Sequence, residues 1–323
     1  MTGIKLPDGV HRIEMPIPFP LRSVHSYVLE TARGFVLVDS GFPSEEAQAV
    51  MRLELARICG SLDRIAAVII THFHPDHSGL AGWLEETAGV RVYVHEKDWV
   101  RLEQMLSEEE EPGPDRWAPG LAAMLDPQVT EAWQRMRQDV HRLRFPIAKP
   151  TLVSGGEVLD FGDRSLRLIW TPGHTEGHIC VLDQGERTLY SGDHLLGRIT
   201  PHIGVWNDSG DNPLHLYERS LSLVEELAPR LALPAHESLV EDPVRRAQEI
   251  REHHQARRRA VVAVLGNGGR TARDVSEAVF PHRQDGMNQF LALSETVAHL
   301  QALIEEGAVN VQDVGGQVFY SRR

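Results

Sequence analysis

Thr71-His72-Phe73-His74-Pro75-Asp76-His77 follows directly on Ala66-Ala67-Val68-Ile69-Ile70, an apolar run of strand type, and leads into Ser78-Gly79-Leu80-Ala81-Gly82, which reads as the start of a helix. A strand delivers its last side chains rigidly, and the loop beyond it can wrap a small ligand. His72 and His74 have the alternate spacing that points two imidazoles the same way from extended backbone. Asp76 and His77 fall on the following turn and can face a second position. Imidazoles and a carboxylate at this density suit a borderline divalent cation such as zinc. The stretch therefore predicts a metal site and not part of a core.

Three further motifs repeat the placement. Thr171-Pro172-Gly173-His174-Thr175-Glu176-Gly177-His178 follows the strand-like Leu166–Trp170. Ser191-Gly192-Asp193-His194 ends the strand begun at Arg187. Pro234-Ala235-His236-Glu237 ends Leu231-Ala232-Leu233. Taken in this order, the four motifs resemble the HxHxDH signature and its partners in the metallo-β-lactamase superfamily. The resemblance covers roughly residues 10–240. It is nearest the broad group of hydroxyacylglutathione hydrolases and small lactamase-like proteins that carry a C-terminal winged-helix domain.

The resemblance implies an α/β fold: an αββα sandwich, here with a helical insertion and a C-terminal winged-helix-like domain. It also implies a ligand set. His72, His74 and His174 close three corners of one site, Asp76, His77 and His236 hold a second ion, and Asp193 bridges the two. Asp76 and Asp193 are the carboxylates expected to serve catalysis, with Asp76 orienting a metal-bound hydroxide. Asp39, at the end of the Gly34–Val38 strand, resembles a supporting aspartate of the family. Chemically it can bond a ligating imidazole or the backbone of the 71–77 loop. His178 reads as a supporting hydrogen-bonder, and His202, Trp206 and Tyr217 as candidates for the cavity wall. Ala235 replaces the usual glycine before the last histidine. The expected cofactors are two divalent ions, with zinc preferred and iron or manganese compatible with the same donors.

The remaining composition narrows the class. The chain has 323 residues, enough for one large and one small domain, and a formal charge of −13. A polyanionic partner would approach against that field. Cys59 and Cys180 are its two cysteines, both beside apolar residues, so no disulfide framework is implied. No stretch reaches the ~18 apolar residues of a membrane span, and a cytoplasmic location is expected.

Along the chain, strands and helices alternate to residue 96 and resume at 150. Residues 97–149 interrupt them with helix-like sequence, the acidic run 108–111, and large side chains such as Trp99, Trp117 and Trp133. This insertion is read as a lid or pocket wall. From Pro243 the character changes. A long helix over 244–264, a short one from Thr271, an amphipathic helix over 291–304 and two short strands form a winged-helix-like pattern. The expected domains are 1–243 and 244–323. The second is expected to be structural and to support a homodimer, with Arg257, Arg258 and Arg259 pairing with acidic groups of the first.

Three functions compete. The first is hydrolysis of a small ester, thioester, lactone or amide by metal-bound hydroxide. The second is phosphodiester cleavage by the same ions. The third is di-iron redox chemistry. The chain has no glycine-rich dinucleotide loop, and the 291–304 helix offers only His299 as a cationic side chain, unlike a helix that reads nucleic acid. Arg198 is the one nearby cation suited to a glutathione carboxylate. A small-molecule substrate is expected, with no membrane and no nucleic-acid partner.

Overall fold

The computed structural model describes residues 5–106, 146–205, 211–266, 268–281 and 286–323. Most of the expected 97–149 insertion, and Trp206, lie outside these residues. By packing, the described chain divides into two compact units. One holds residues 5–106, 146–201 and 222–247; the other holds 202–205, 211–221, 248–266, 268–281 and 286–323.

The first unit contains two sheets. Six strands, β1 (Val10–Pro16), β2 (Ser23–Thr31), β3 (Gly34–Val38), β4 (Ile65–Ile69), β5 (Arg91–His95) and β6 (Thr151–Val153), pair in chain order. The first three run antiparallel, and β3 to β6 are parallel. The second sheet runs β11-β10-β9-β8-β7, from β7 (Val158–Asp160), β8 (Ser165–Trp170), β9 (Ile179–Asp183), β10 (Thr188–Gly192) and β11 (Leu231–Pro234). It is antiparallel except for the β10–β11 pair.

Side-chain parity shows how the sheets lie. Val36, Val38, Ala67 and Ile69 share one buried cluster with Leu166, Leu168, Val181 and Leu233 of the other sheet. The alternate residues Leu37, Val68 and Ile70 join a second cluster with Met51 and Leu55 of α1 (Glu45–Cys59) and with Ala81 and Leu84 of α3 (Ala81–Ala88). A strand buried on both faces reads as a continuous apolar run, as Ala66–Ile70 does. Each fully buried Leu, Ile or Val contributes roughly 1.5–3 kcal/mol, so the two faces of β4 together fix its register firmly. The sheets thus meet face to face with helices outside, in the expected αββα arrangement with an added C-terminal unit of helices and a hairpin.

The metal-type loop differs locally from a simple turn. Pro75–Ser78 forms one helical turn, α2, with His77 and Ser78 donating their backbone N–H groups to the carbonyl of His74. Pro75 takes the first helical position, where its missing N–H costs nothing. α4 (Glu96–Leu106) begins as β5 ends, and His95 Nδ1 accepts the backbone N–H of Lys97 at its start.

In the second unit, α6 (Pro243–Leu265) from residue 248 packs with α7 (Ala272–Val279), α8 (Gly286–Glu305) and the hairpin of β12 (Val309–Val314) and β13 (Gln317–Arg322). Val261, Leu265, Val275, Phe290, Leu300 and Tyr320 form its core. The Thr271 and Asp274 side chains close a capping box on α7. Most of the arginine run is engaged inside this unit. Arg257 donates to the carbonyl of Val279 and lies over the Phe280 ring, and Arg258 pairs with Glu218, on α5 (Pro213–Leu227), and with Glu306. Among the described residues, no helix is long and apolar enough to cross a membrane.

Candidate metal centre

The first unit brings its strand ends together. His72, His74, Asp76 and His77 follow β4, His174 follows β8, Asp193 follows β10 and His236 follows β11. Their side chains form overlapping groups: His72, His74 and His174; His72, His77 and Asp193; Asp76, His77 and His236. Within each group the ligand atoms lie within 4.8 Å of one another.

His74 Nδ1 is 3.0 Å from His72 Nε2 and 3.1 Å from His174 Nε2. Two imidazoles on one tetrahedral ion with bonds of about 2.0–2.1 Å would sit about 3.3 Å apart, so this trio is already spaced for a cation. Burial, with the neighbouring histidines, pushes the pKa of His72 well below its ordinary value, and burial together with His174 takes His74 down to about 3. Both rings are therefore neutral and present lone pairs.

Asp193 reaches both halves. Its Oδ2 lies 3.5 Å from His174 Nε2, and its Oδ1 lies 3.5 Å from His236 Nε2 and 3.6 Å from His77 Nε2. Asp76 Oδ2 is 3.5 Å from His236 Nε2 and 3.7 Å from His77 Nε2. His77 Nε2 and Asp193 Oδ1 are buried with no hydrogen-bond partner among the described residues. Polar atoms in that condition call for a missing ligand. Burial opposes charge on His77, yet Asp39, Asp76 and Asp193 overcome it and raise its pKa to about 10. The pocket favours a cation strongly enough to hold a proton where an ion would otherwise sit. Two carboxylates and five imidazoles fit one or two divalent cations.

Supporting bonds aim the rings. Asp39 stands at φ +63°, an uncommon backbone state for a residue with a side chain. It accepts the Thr71 N–H on Oδ1, and the Thr71 hydroxyl and His77 Nδ1–H on Oδ2, at 2.8, 2.9 and 2.8 Å. With its proton given to Asp39, the Thr71 oxygen accepts from His72 Nδ1 at 3.1 Å. His236 Nδ1 donates to the carbonyl of Ser23 at 2.9 Å. In His72, His77 and His236 a proton is thereby placed on Nδ1, so that Nε2 is the atom left to bind an ion, on His77 in place of the second proton.

His178 is fully buried and its pKa is driven well below the usual value by burial, then by His194 and His174. It donates from Nδ1 to Thr171 Oγ1 and accepts the Asp193 backbone N–H on Nε2, at 2.8 and 3.2 Å. Gly192, at φ +48°, lets this strand end approach: a Cβ there would come within 2.7 Å of Thr71 Oγ1 and 2.8 Å of His178 Nε2. The loop after Asp193 is gripped from two sides. Glu237 accepts the N–H groups of Arg198 and Ile199, and the Arg246 guanidinium donates to the carbonyls of Leu196, Arg198 and Ile199.

His202 and Tyr217 belong to the second unit. His202 Nε2 lies 3.0 Å from both the Leu291 carbonyl and Ser294 Oγ. Tyr217 is fully buried, edge-on to His254. Sequence reading missed Asp98. Buried in the first turn of α4, it accepts the Phe73 N–H, the Thr175 hydroxyl and the Gly177 N–H at 2.9, 2.8 and 2.6 Å. Burial outweighs those bonds and lifts its pKa to about 7. An acidic residue at a helix start is ordinarily explained by the helix dipole, so the sequence carried no separate signal for it.

Comparison with known proteins agrees with this geometry. The family described as metallo-beta-lactamase superfamily matches residues 19–236, and that described as metallo-beta-lactamase-like, C-terminal domain, matches residues 259–322. A crystal structure of a metallo-beta-lactamase family protein from Thermus thermophilus is 32% identical and superposes with a TM-score of 0.82, covering 99% of this chain and 100% of that one. "Probable metallo-hydrolase YqjP" of Bacillus subtilis is 24% identical over 320 residues, 97% of this chain and 98% of that protein. An atrochrysone carboxyl ACP thioesterase of Aspergillus fumigatus is 24% identical over 269 residues, 81% of this chain and 66% of its own length. With its ligand-type side chains gathered at the strand ends of two facing sheets, and with matches extending along nearly all of its length, the chain belongs to the metallo-beta-lactamase superfamily.

Proposed function

We propose that the protein is a metal-dependent hydrolase with a binuclear centre, acting on a small acyl substrate, with thioesters and esters ahead of lactones and amides. The observation that carries this reading is the Asp193 carboxylate, which lies within 3.6 Å of imidazoles from both halves of the ligand cluster. A single carboxylate between two cations offsets charge and fixes their separation. His72, His74 and His174 would hold one ion, Asp76, His77 and His236 the other, and Asp193 both. The nitrogen-rich donor set favours zinc. When bound, the ions supply acidified water and polarise the carbonyl to be attacked. Asp76 accepts the hydrogen bond of the attacking water on its carboxylate and so orients it. The neutral rings of His72 and His74 neither take nor give protons near neutral pH.

Thioester chemistry is supported by the Aspergillus relative, whose name describes an acyl-carrier thioesterase. The hydroxyacylglutathione likeness is retained only at the level of thioester chemistry. Arg198, the cation suited to a glutathione carboxylate, is itself exposed, on the loop held by Glu237 and Arg246. Phosphodiester cleavage is disfavoured. His299 is buried against His254, and Arg258 is held by Glu218 and Glu306, so neither is placed to meet a phosphate. We assign residues 1–243 to catalysis. Residues 244–323 are taken as a winged-helix-like structural domain that supports a homodimer.

The test is a substrate panel of acyl thioesters, aryl esters, lactones and a phosphodiester, assayed with and without prior chelation. The reading predicts chelator-sensitive hydrolysis of the acyl compounds. Hydrolysis confined to the phosphodiester, or acyl hydrolysis at an unchanged rate after complete metal removal, would overturn it.

A further inference from the structure

We propose that Asp98 is a positioning residue for the three-imidazole half of the centre, a single buried carboxylate that holds both loops from which His72, His74 and His174 project. The inference rests on the metal-site reading above and adds a residue that reading does not contain.

Asp98 is fully buried in the first turn of α4. Its Oδ2 accepts the backbone N–H of Phe73, the residue between His72 and His74, and the hydroxyl of Thr175, the residue after His174. Its Oδ1 accepts the N–H of Gly177 on the same loop as His174. The two loops leave different sheets, β4 in one and β8 in the other. Asp98 ties them to each other directly, within one residue of each of the three ligands.

Gly177 provides an independent sign that this contact is built in. A Cβ at position 177 would fall 2.5 Å from the Asp98 backbone nitrogen, 2.6 Å from its Oδ1 and 2.7 Å from its Cγ. Only a residue without a side chain allows the 171–178 loop to come this close to the start of α4. Gly177 does not appear among the positive-φ residues, so close approach and not backbone conformation is what requires glycine here.

The two buried carboxylates grip different ligands directly. Asp39 grips Thr71 and His77, and so serves the strand exit and the half containing Asp76, His77 and His236, reaching His72 only through the Thr71 hydroxyl. Asp98 grips Phe73, Thr175 and Gly177, and so serves the half containing His72, His74 and His174. An asparagine at 98 would offer one acceptor oxygen to three donors and set its own N–H₂ group among them. At least one loop would then move, and the imidazole nitrogens now 3.0–3.1 Å apart would no longer converge. A carboxylate that served stability alone would instead affect both halves alike.

The experiment uses the full chain, with zinc and then cobalt(II) as probes, titrated against a chromophoric chelator in the wild type, D98N, G177A and T175V. Cobalt(II) absorption, followed as each equivalent is added, reports the coordination geometry of each half as it fills, and far-UV circular dichroism reports folding. Loss of such supporting bonds ordinarily costs about 10–100-fold in metal affinity. The expected result is that D98N and G177A bind one ion about tenfold or more weakly, with altered cobalt absorption, while the other ion is held within about threefold of wild type. T175V, which removes one of the three donors, should show a smaller loss in the same ion. Unchanged affinity for both ions in folded D98N, or an equal loss at both, overturns the proposal. If D98N does not fold, T175V decides, and wild-type affinity and absorption in that variant also overturn it. A wild-type chain that binds fewer than two ions counts against the binuclear reading instead, so the two failures are told apart.

Discussion

Replacing Asp39 by asparagine makes an isosteric change whose consequences can be followed atom by atom. Asp39 accepts three hydrogen bonds in a site that is 2% exposed. In Asp39→Asn one oxygen remains to take the Thr71 N–H, and the amide nitrogen replaces Oδ2. The Thr71 hydroxyl can rotate to accept from that nitrogen, but its own proton then loses the acceptor it has at Oδ2. His77 Nδ1 would face an N–H donor. It can avoid the clash only by moving its proton to Nε2, the atom that faces Asp76 and Asp193. The imidazole would then be blocked as a ligand. Leaving one or two buried donors unsatisfied costs about 1–3 kcal/mol each, so a loss of roughly 1–6 kcal/mol in folding stability is expected. Metal affinity should fall about 10–100-fold, chiefly in the half containing His77. Equilibrium denaturation of the chelated protein measures the first, and chelator competition the second. A variant that keeps both ions at wild-type affinity would refute the tautomer argument, even if its stability fell as calculated.

Other outcomes follow from the same structure. Asp193→Ala should leave the chain folded but lower its content from two ions to one and abolish nearly all turnover, as metal analysis of the purified variant will show; two ions retained would contradict the shared-ligand role. In the second unit, burial followed by nearby positive groups lowers His254 to about 3 and His299 to about 2. The unfolded chain therefore binds protons below about pH 6.5 that the folded unit refuses. Stability is full above that pH and is lost as pH falls from 6.5 toward 3, by at most about 2.7 kcal/mol per pH unit for the two histidines together. Denaturant midpoints at pH 7.5 and 5.5 should separate accordingly, and His299→Leu should shrink the difference.

The fold and the centre were legible in the sequence to different depths. The sandwich was legible through the family resemblance that the four histidine and aspartate motifs carry, and the apolar run 66–70 added only a strand buried on both faces. The ligand-type residues were visible because histidine and aspartate at such density have little use in a core. The supporting atoms were not visible. Thr71 acts by a contact between the ends of neighbouring strands, Asp98 through contacts to loops that leave two different sheets, and the Ser23 carbonyl that orients His236 is backbone, which carries no residue signal. The turn at 75–78 was legible as a break, but its helical form depends on the His74 carbonyl accepting two N–H groups. The arginine run at 257–259 reads in the sequence as pairing with acidic groups of the first domain. In the structure Arg257 lies over an aromatic ring and Arg258 is held by two glutamates, a distinction that needs the packing of helices distant in sequence.

The most direct test of the central claim is a stepwise metal titration of the stripped, full-length protein, following bound zinc per chain and hydrolysis of an acyl thioester in the same samples. A shared carboxylate between two halves predicts that content reaches two ions per chain and that hydrolysis rises mainly with the second. Saturation at one ion with full activity, or hydrolysis already complete in the stripped protein, would contradict it.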